Sequence, residues 1–128
     1  MRFGYTIIYV SDVEETLNFY KKAFNLEQSF LHESQQYGEL NTGDTKLAFA
    51  SNSLARSNGV DFIKNDAKNN AAGFEIAFIA NDVKKSYDHA LKYGAVAVKE
   101  PAIKPWGQEV AYVRDLNGII VEICSLLS

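Results

Sequence analysis

The chain has 128 residues, the size of one ordinary domain, and at 47% hydrophobic and 23% charged residues it has the material for a packed core. The net charge of −3 comes without any Lys/Arg cluster, which argues against nucleic-acid binding. No apolar run is long enough for a membrane span, and "MRFGYTIIYVSD" lacks the apolar core and cleavage site of a signal peptide, so a soluble, cytoplasmic protein is expected. The single cysteine, Cys124, makes neither an internal disulfide nor a Cys-based zinc site, and its expected role is a small core filler.

In chain order, "YTIIYV" (5–10) is β-branched and aromatic and predicts a buried strand. Ser11 and Glu14 have capping-box spacing, so Ser11 is the expected N-cap of a helix. Its stripe is Val13, Leu17, Tyr20 and Phe24. Three strand candidates follow, "QSFLHES", "YGELNT" and "TKLAFAS", with "TGDT" turning the last two. The stretch "SNSLARSNGVDFIKNDAKNNAAG" is rich in Asn and Ser, has no clear period, and reads as a loop, either a cavity lid or a plain linker.

The same order then returns. "FEIAFIA" predicts a strand, and "NDVKKSYDHALKYG" a helix with Asn81 as N-cap, Gly94 as stop, and a Val83, Tyr87, Leu91 stripe. His89 lies off that stripe and is expected to face solvent. "AVAVKE", "QEVAYVRD" and "GIIVEICS" complete the set, with "DLNG" as the last turn, where Arg114 is expected to pair locally. Placing Ser11-Asp12-Val13 on Asn81-Asp82-Val83 gives an offset of 70 residues and puts Tyr5 on Glu75. The order β-α-β-β-β therefore repeats. Module one is expected at about 1–52, the loop at about 53–72, and module two at about 73–128.

Two acids stand out. Strand alternation puts Glu122 with Ile120 and Cys124 on one face, and Glu75 with Ala77 and Ile79 on one face. The opposite faces are wholly apolar and suited to lie under a helix. If the halves pack as symmetric mates, both acids look into a shared cavity. Two carboxylates there repel, so one takes a proton or a cation sits between them. A metal ion, a Lys/Arg side chain or a cationic ligand group would each serve. His32, alternating with Phe30 and Ser34, is a further cavity candidate. Trp106, in the turn "KPWGQ", together with Tyr9 and Tyr112, would supply stacking walls. The alternative for Trp106 is a core cap or a dimer contact.

The repeat, together with "SDVEETLNFYKKAFNLE", "FEIAFIANDV" and above all "KPWGQEVAYVRDLNGIIVEI", resembles the vicinal oxygen chelate superfamily. That superfamily holds glyoxalase I, bleomycin-resistance proteins, fosfomycin-resistance enzymes and extradiol dioxygenases, and the resemblance covers essentially the whole chain. It implies an α+β fold: two βαβββ modules in a pseudo-two-fold repeat, forming a cup-shaped, partly open mixed sheet around a cavity, often completed in a homodimer. It also implies four ligand positions, on the first and last strand of each module. Here these are Tyr5, Ala48, Glu75 and Glu122, where glyoxalase I has His or Gln, Glu, His and Glu. Only Glu122 matches outright. Glu75 replaces an imidazole, Tyr5 is a poor ligand with a phenol pKa of about 10, and Ala48 cannot ligate.

Two carboxylates without imidazole make a weak transition-metal site, leaving at most a loosely held divalent ion such as Mg, Mn, Ni or Zn. The resemblance thus favours a binding protein of the bleomycin-resistance kind, with Glu75 and Glu122 attracting a cationic small molecule beside Tyr5, Tyr9, His32, Ala48, Trp106 and Tyr112. The alternatives are a lactoylglutathione-lyase-like lyase or isomerase with a Glu general base, and a vestigial cavity in a protein acting through its dimer surface.

Overall fold

A computed structural model describes residues 1–127. The chain divides into two units, Met1–Asn65 and Asp66–Ser128. Unit one runs β1 (Tyr5–Val10), α1 (Val13–Ala23), β2 (Gln28–Leu31), β3 (Tyr37–Leu40), β4 (Lys46–Ser51) and a short α2 (Asn52–Ser57). Unit two runs β5 (Glu75–Ile79), α3 (Val83–Lys92), β6 (Val96–Ile103), β7 (Glu109–Arg114) and β8 (Ile120–Cys124). Each holds a four-stranded mixed sheet, ordered β1-β4-β3-β2 and β5-β8-β7-β6. The outer pair β1–β4, like β5–β8, is parallel, and the other pairs are antiparallel. The fold is α+β with two βαβββ repeats, as the element order predicts.

Strand alternation decides which face each helix covers. In β1, Ile8 and Val10 are buried while Tyr5 and Ile7 are exposed. α1 lies against β2, β3 and β4. Of its predicted stripe, Val13, Leu17 and Tyr20 are almost fully buried and Phe24, the C-cap, is half-buried; the Tyr20 ring meets Phe49 of β4 at 5.0 Å between centroids. In unit two, α3 lies over β6, β7 and β8, with Val83, Tyr87 and Ala90 buried. Val113, Val121 and Ile123 form the buried face of that sheet. Pro101 falls in β6, an edge strand, where its missing N–H breaks no ladder.

Two boundaries differ from expectation. The caps are Asp12 and Asp82, each accepting from the backbone N–H three residues on, at Glu15 and Lys85, rather than Ser11 and Asn81. A carboxylate at this position also meets the positive end of the helix dipole. The segment read as loop opens on a helix, Asn52–Ser57, because Ser51 caps it by accepting from Leu54 N–H at 3.0 Å. Beyond it the chain folds back on β1. Phe62 stacks on Tyr9 with centroids 4.8 Å apart, Arg56 lies over Phe62, and the Asn65 amide donates to the Tyr9 carbonyl. No helix among the described residues is long and apolar enough to cross a membrane.

Candidate functional site

The site grows from the register of unit two. Ala77 of β5 pairs with Glu122 of β8, and Tyr112 of β7 pairs with Glu122 from the other side. Glu75 precedes Ala77 by two residues, so Glu75, Glu122 and Tyr112 occupy three adjacent strands on the face turned away from α3. The parallel β5–β8 pairing places both acids on neighbouring strands within unit two.

Glu122 is the centre of the group. Glu75 shares a hydrogen bond with it, and partial burial, the Glu122 charge and this bond, in that order, hold Glu75 above the usual carboxyl value. The Tyr112 hydroxyl also donates to Glu122. Burial first, then that bond and the two acids, push the phenol up to about 12. Cys124 is buried on the same face, and burial, then Glu122, push its thiol up. A thiol so held is protonated and a poor nucleophile, in keeping with a core filler. Chemically the face offers a carboxyl pair that holds one proton readily, beside a phenol that remains a donor at neutral pH.

Trp106 is 60% exposed, its indole N–H held by Gln108 at 2.9 Å. In unit one, Tyr5 is exposed, Tyr9 is half-buried against Phe62, and Ala48 is fully buried. His32 is exposed in the β2–β3 turn, where Nδ1 accepts from the Ser34 N–H at 3.0 Å, which favours a turn role over ligand contact. Arg114 pairs locally through Nε, which donates to the Gly118 carbonyl, while a terminal nitrogen donates to the sequence-distant Asn69 carbonyl, both at 2.8 Å.

One pair escaped the sequence reading. The Tyr37 hydroxyl donates to Glu39 Oε2 at 2.8 Å on β3. The Tyr-x-Glu spacing puts both side chains on one strand face and was the available signal.

Residues 3–128 match the sequence family described as Glyoxalase-like domain. The chain belongs to the glyoxalase-like family, within the vicinal oxygen chelate superfamily. Over 123 residues it is 27% identical to YraH, an uncharacterized protein of Bacillus subtilis (strain 168), covering 92% of this chain and 93% of that one. Among solved structures it resembles a glyoxalase-related enzyme from Fulvimarina pelagi, with a TM-score of 0.83, 18% identity, and coverage of 98% of this chain and 88% of that one. A glyoxalase/bleomycin resistance protein/dioxygenase family enzyme from Burkholderia phytofirmans PsJN gives 0.78, 19% identity, and 97% and 98%. At such identities the structural likeness speaks for the fold.

Within this glyoxalase-like fold the registers equate the family positions across the repeat. Tyr5 pairs with Lys46 and Ile7 with Ala48 in unit one, as Glu75 pairs with Ile120 and Ala77 with Glu122 in unit two. Tyr5 and Glu75 are therefore counterparts, and so are Ala48 and Glu122.

Proposed function

We propose that the protein binds a cationic, amine-bearing small molecule at Glu75, Glu122 and Tyr112, without glyoxalase-type metal chemistry. The observation that carries this reading is the direct contact between the two carboxyls, with Glu75 raised. A cation between the two carboxyls relieves their repulsion, and an ammonium group does so while donating hydrogen bonds to them.

The donor set supports the negative half of the proposal. No group of three or more His, Cys, Asp or Glu suited to a metal occurs among the described residues. Of the four family positions, Tyr5 offers only a phenol and Ala48 has no donor atom. The remaining two carboxylates suit a hard ion held largely by water, not the imidazole-preferring transition metals. A glyoxalase-type metal does not fit these residues, and no reaction step is routed through one.

A second reading has an observation in its favour. A raised Glu75 is a better-matched general base near neutrality than an ordinary carboxylate, as a lyase or isomerase needs.

Calorimetric titration with paired primary amines and their neutral isosteres separates the two, alongside metal analysis and turnover of a hemithioacetal with Mg²⁺, Mn²⁺, Ni²⁺ or Zn²⁺ added. Binding of amines but not isosteres, without turnover, is expected. Tight stoichiometric metal with turnover would overthrow the binding reading in favour of the lyase.

A further inference from the structure

Two Asn-Gly pairs occur in the chain, Asn58-Gly59 and Asn117-Gly118, and every other asparagine is followed by a residue with a side chain. Glycine has no Cβ to shield its amide nitrogen, so that nitrogen can attack the carboxamide carbon Cγ of the asparagine before it. A C–N bond forms, the amide proton passes to water, and the side-chain nitrogen leaves as ammonia. Water then opens the resulting succinimide at either carbonyl and leaves aspartate or isoaspartate. Water is the sole co-reactant.

The fold separates the two pairs. Asn117 is 7% exposed, in the turn that Asp115 organises. An atom added at Gly118 would meet the Arg114 side chain and the backbone of Asp66 and Ala67, so a succinimide there lacks room. Asn58 and Gly59 are both exposed, and an atom added at Gly59 meets nothing within 4 Å. The Asn58 carboxamide makes no hydrogen bond to any described residue. Both glycine amides are bonded, Gly59 N–H to the Arg56 carbonyl at 2.9 Å and Gly118 N–H to that of Asp115 at 3.0 Å. Each turn must therefore open before it reacts, and the ease of opening decides. Gly59 follows α2, a helix of six residues in which only Asn52 and Ala55 are buried. Arg56, Ser57 and Asn58 at its end are exposed. So short a helix has little stability of its own, and an exposed last turn frays readily.

We infer that Asn58 is a deamidation site of the folded protein and that Asn117 is a protected one. The reaction adds a carboxylate to a chain already at −3. It does so at the carbonyl end of α2, where the helix dipole disfavours an anion. That end also carries Arg56, which lies over Phe62, and Phe62 stacks on Tyr9 of β1. The modification thus falls on the segment that folds back on β1. It involves no residue of the Glu75–Glu122 group, so the two readings stand or fall separately.

The test incubates the full chain at mildly alkaline pH, folded and in urea, and then digests it with trypsin in weak acid. Cleavage after Arg56 and Lys64 isolates Asn58 in a peptide with no other asparagine, and cleavage after Arg114 does the same for Asn117. Mass spectrometry follows the exchange of amide for acid in each peptide, and chromatography separates aspartate from isoaspartate. In the folded protein Asn58 is expected to convert about tenfold faster than Asn117 or more, because the second turn opens only with the structure around it. In urea the two rates should converge. Asn58→Gln, whose ring closure is far slower, should remove most of the acidic form that accumulates on isoelectric focusing of the intact chain. Equal rates in the folded protein would overturn the proposal, as would an Asn58 that converts in urea but not when folded. A rate gap that survives undiminished in urea would overturn it too, since the fold would then not be its cause. So would an acidic form that persists undiminished in Asn58→Gln.

Discussion

Gly118→Ala is expected to destabilise the protein by about 2–4 kcal/mol, as the sum of a left-handed backbone penalty and an irreducible clash. Gly118 ends the "DLNG" turn with φ 85°. Asp115, 1% exposed, organises that turn, accepting from the N–H groups of Asn117 and Ile119. The segment from Asp66 to Asn69 lies directly over the glycine. A methyl there would stand 2.9 Å from the Ala67 Cα and 3.1 Å from the Asp66 carbonyl, and would strike the Arg114 guanidinium. Arg114 could swing away only by giving up its bonds to Gly118 and Asn69, and the backbone atoms cannot swing at all. Gly43 is the natural control, with φ 91° and nothing within 4 Å of an added methyl. Its alanine variant should lose only the backbone share, about 1–2 kcal/mol. Denaturant unfolding of both variants reads the difference, and equal losses would refute the clash.

The second large effect concerns the acid pair. Glu122→Gln is expected to weaken amine binding by about 10–100-fold, the worth of one charge-assisted hydrogen bond. Glu75→Gln should weaken it less and should also alter stability in a pH-dependent way. Because Glu75 is raised in the folded state, folding favours its protonated form. At pH values below the ordinary carboxyl value it is protonated whether folded or not, and glutamine costs and gains nothing. As pH rises through the ordinary value towards the folded one, the wild type accumulates a repulsion that glutamine lacks. The variant should therefore match wild type in acid and exceed it at neutral pH, by about 0.2–1 kcal/mol for exposed like charges across a strand pair. Thermal unfolding at pH 3.5 and 7.5 checks the sign. A variant less stable at pH 7.5 would show that the two acids do not repel.

What was legible in the sequence follows from periodicity. The four- and three-residue steps of Val13, Leu17 and Tyr20, the alternation in "FEIAFI" and "IIVEIC", and the turn chemistry of "DLNG" are local patterns, and each appears in the fold where it was read. The Glu75–Glu122 group was legible because both acids interrupt apolar strands and stand at the first- and last-strand positions of one repeat. Caps slipped by one residue because Ser11 and Asp12, like Asn81 and Asp82, are both good capping residues, and the choice depends on backbone angles fixed by the preceding strand. The Asn52–Ser57 helix was missed because six residues show too little of a 3.6 period.

The most direct measurement is a pH titration of the Glu75 side-chain carboxyl carbon by NMR, free and with a saturating primary amine. The account predicts a midpoint above the ordinary carboxyl value in the free protein, falling when the amine binds and replaces the proton. An ordinary midpoint, unmoved by any amine, would contradict it.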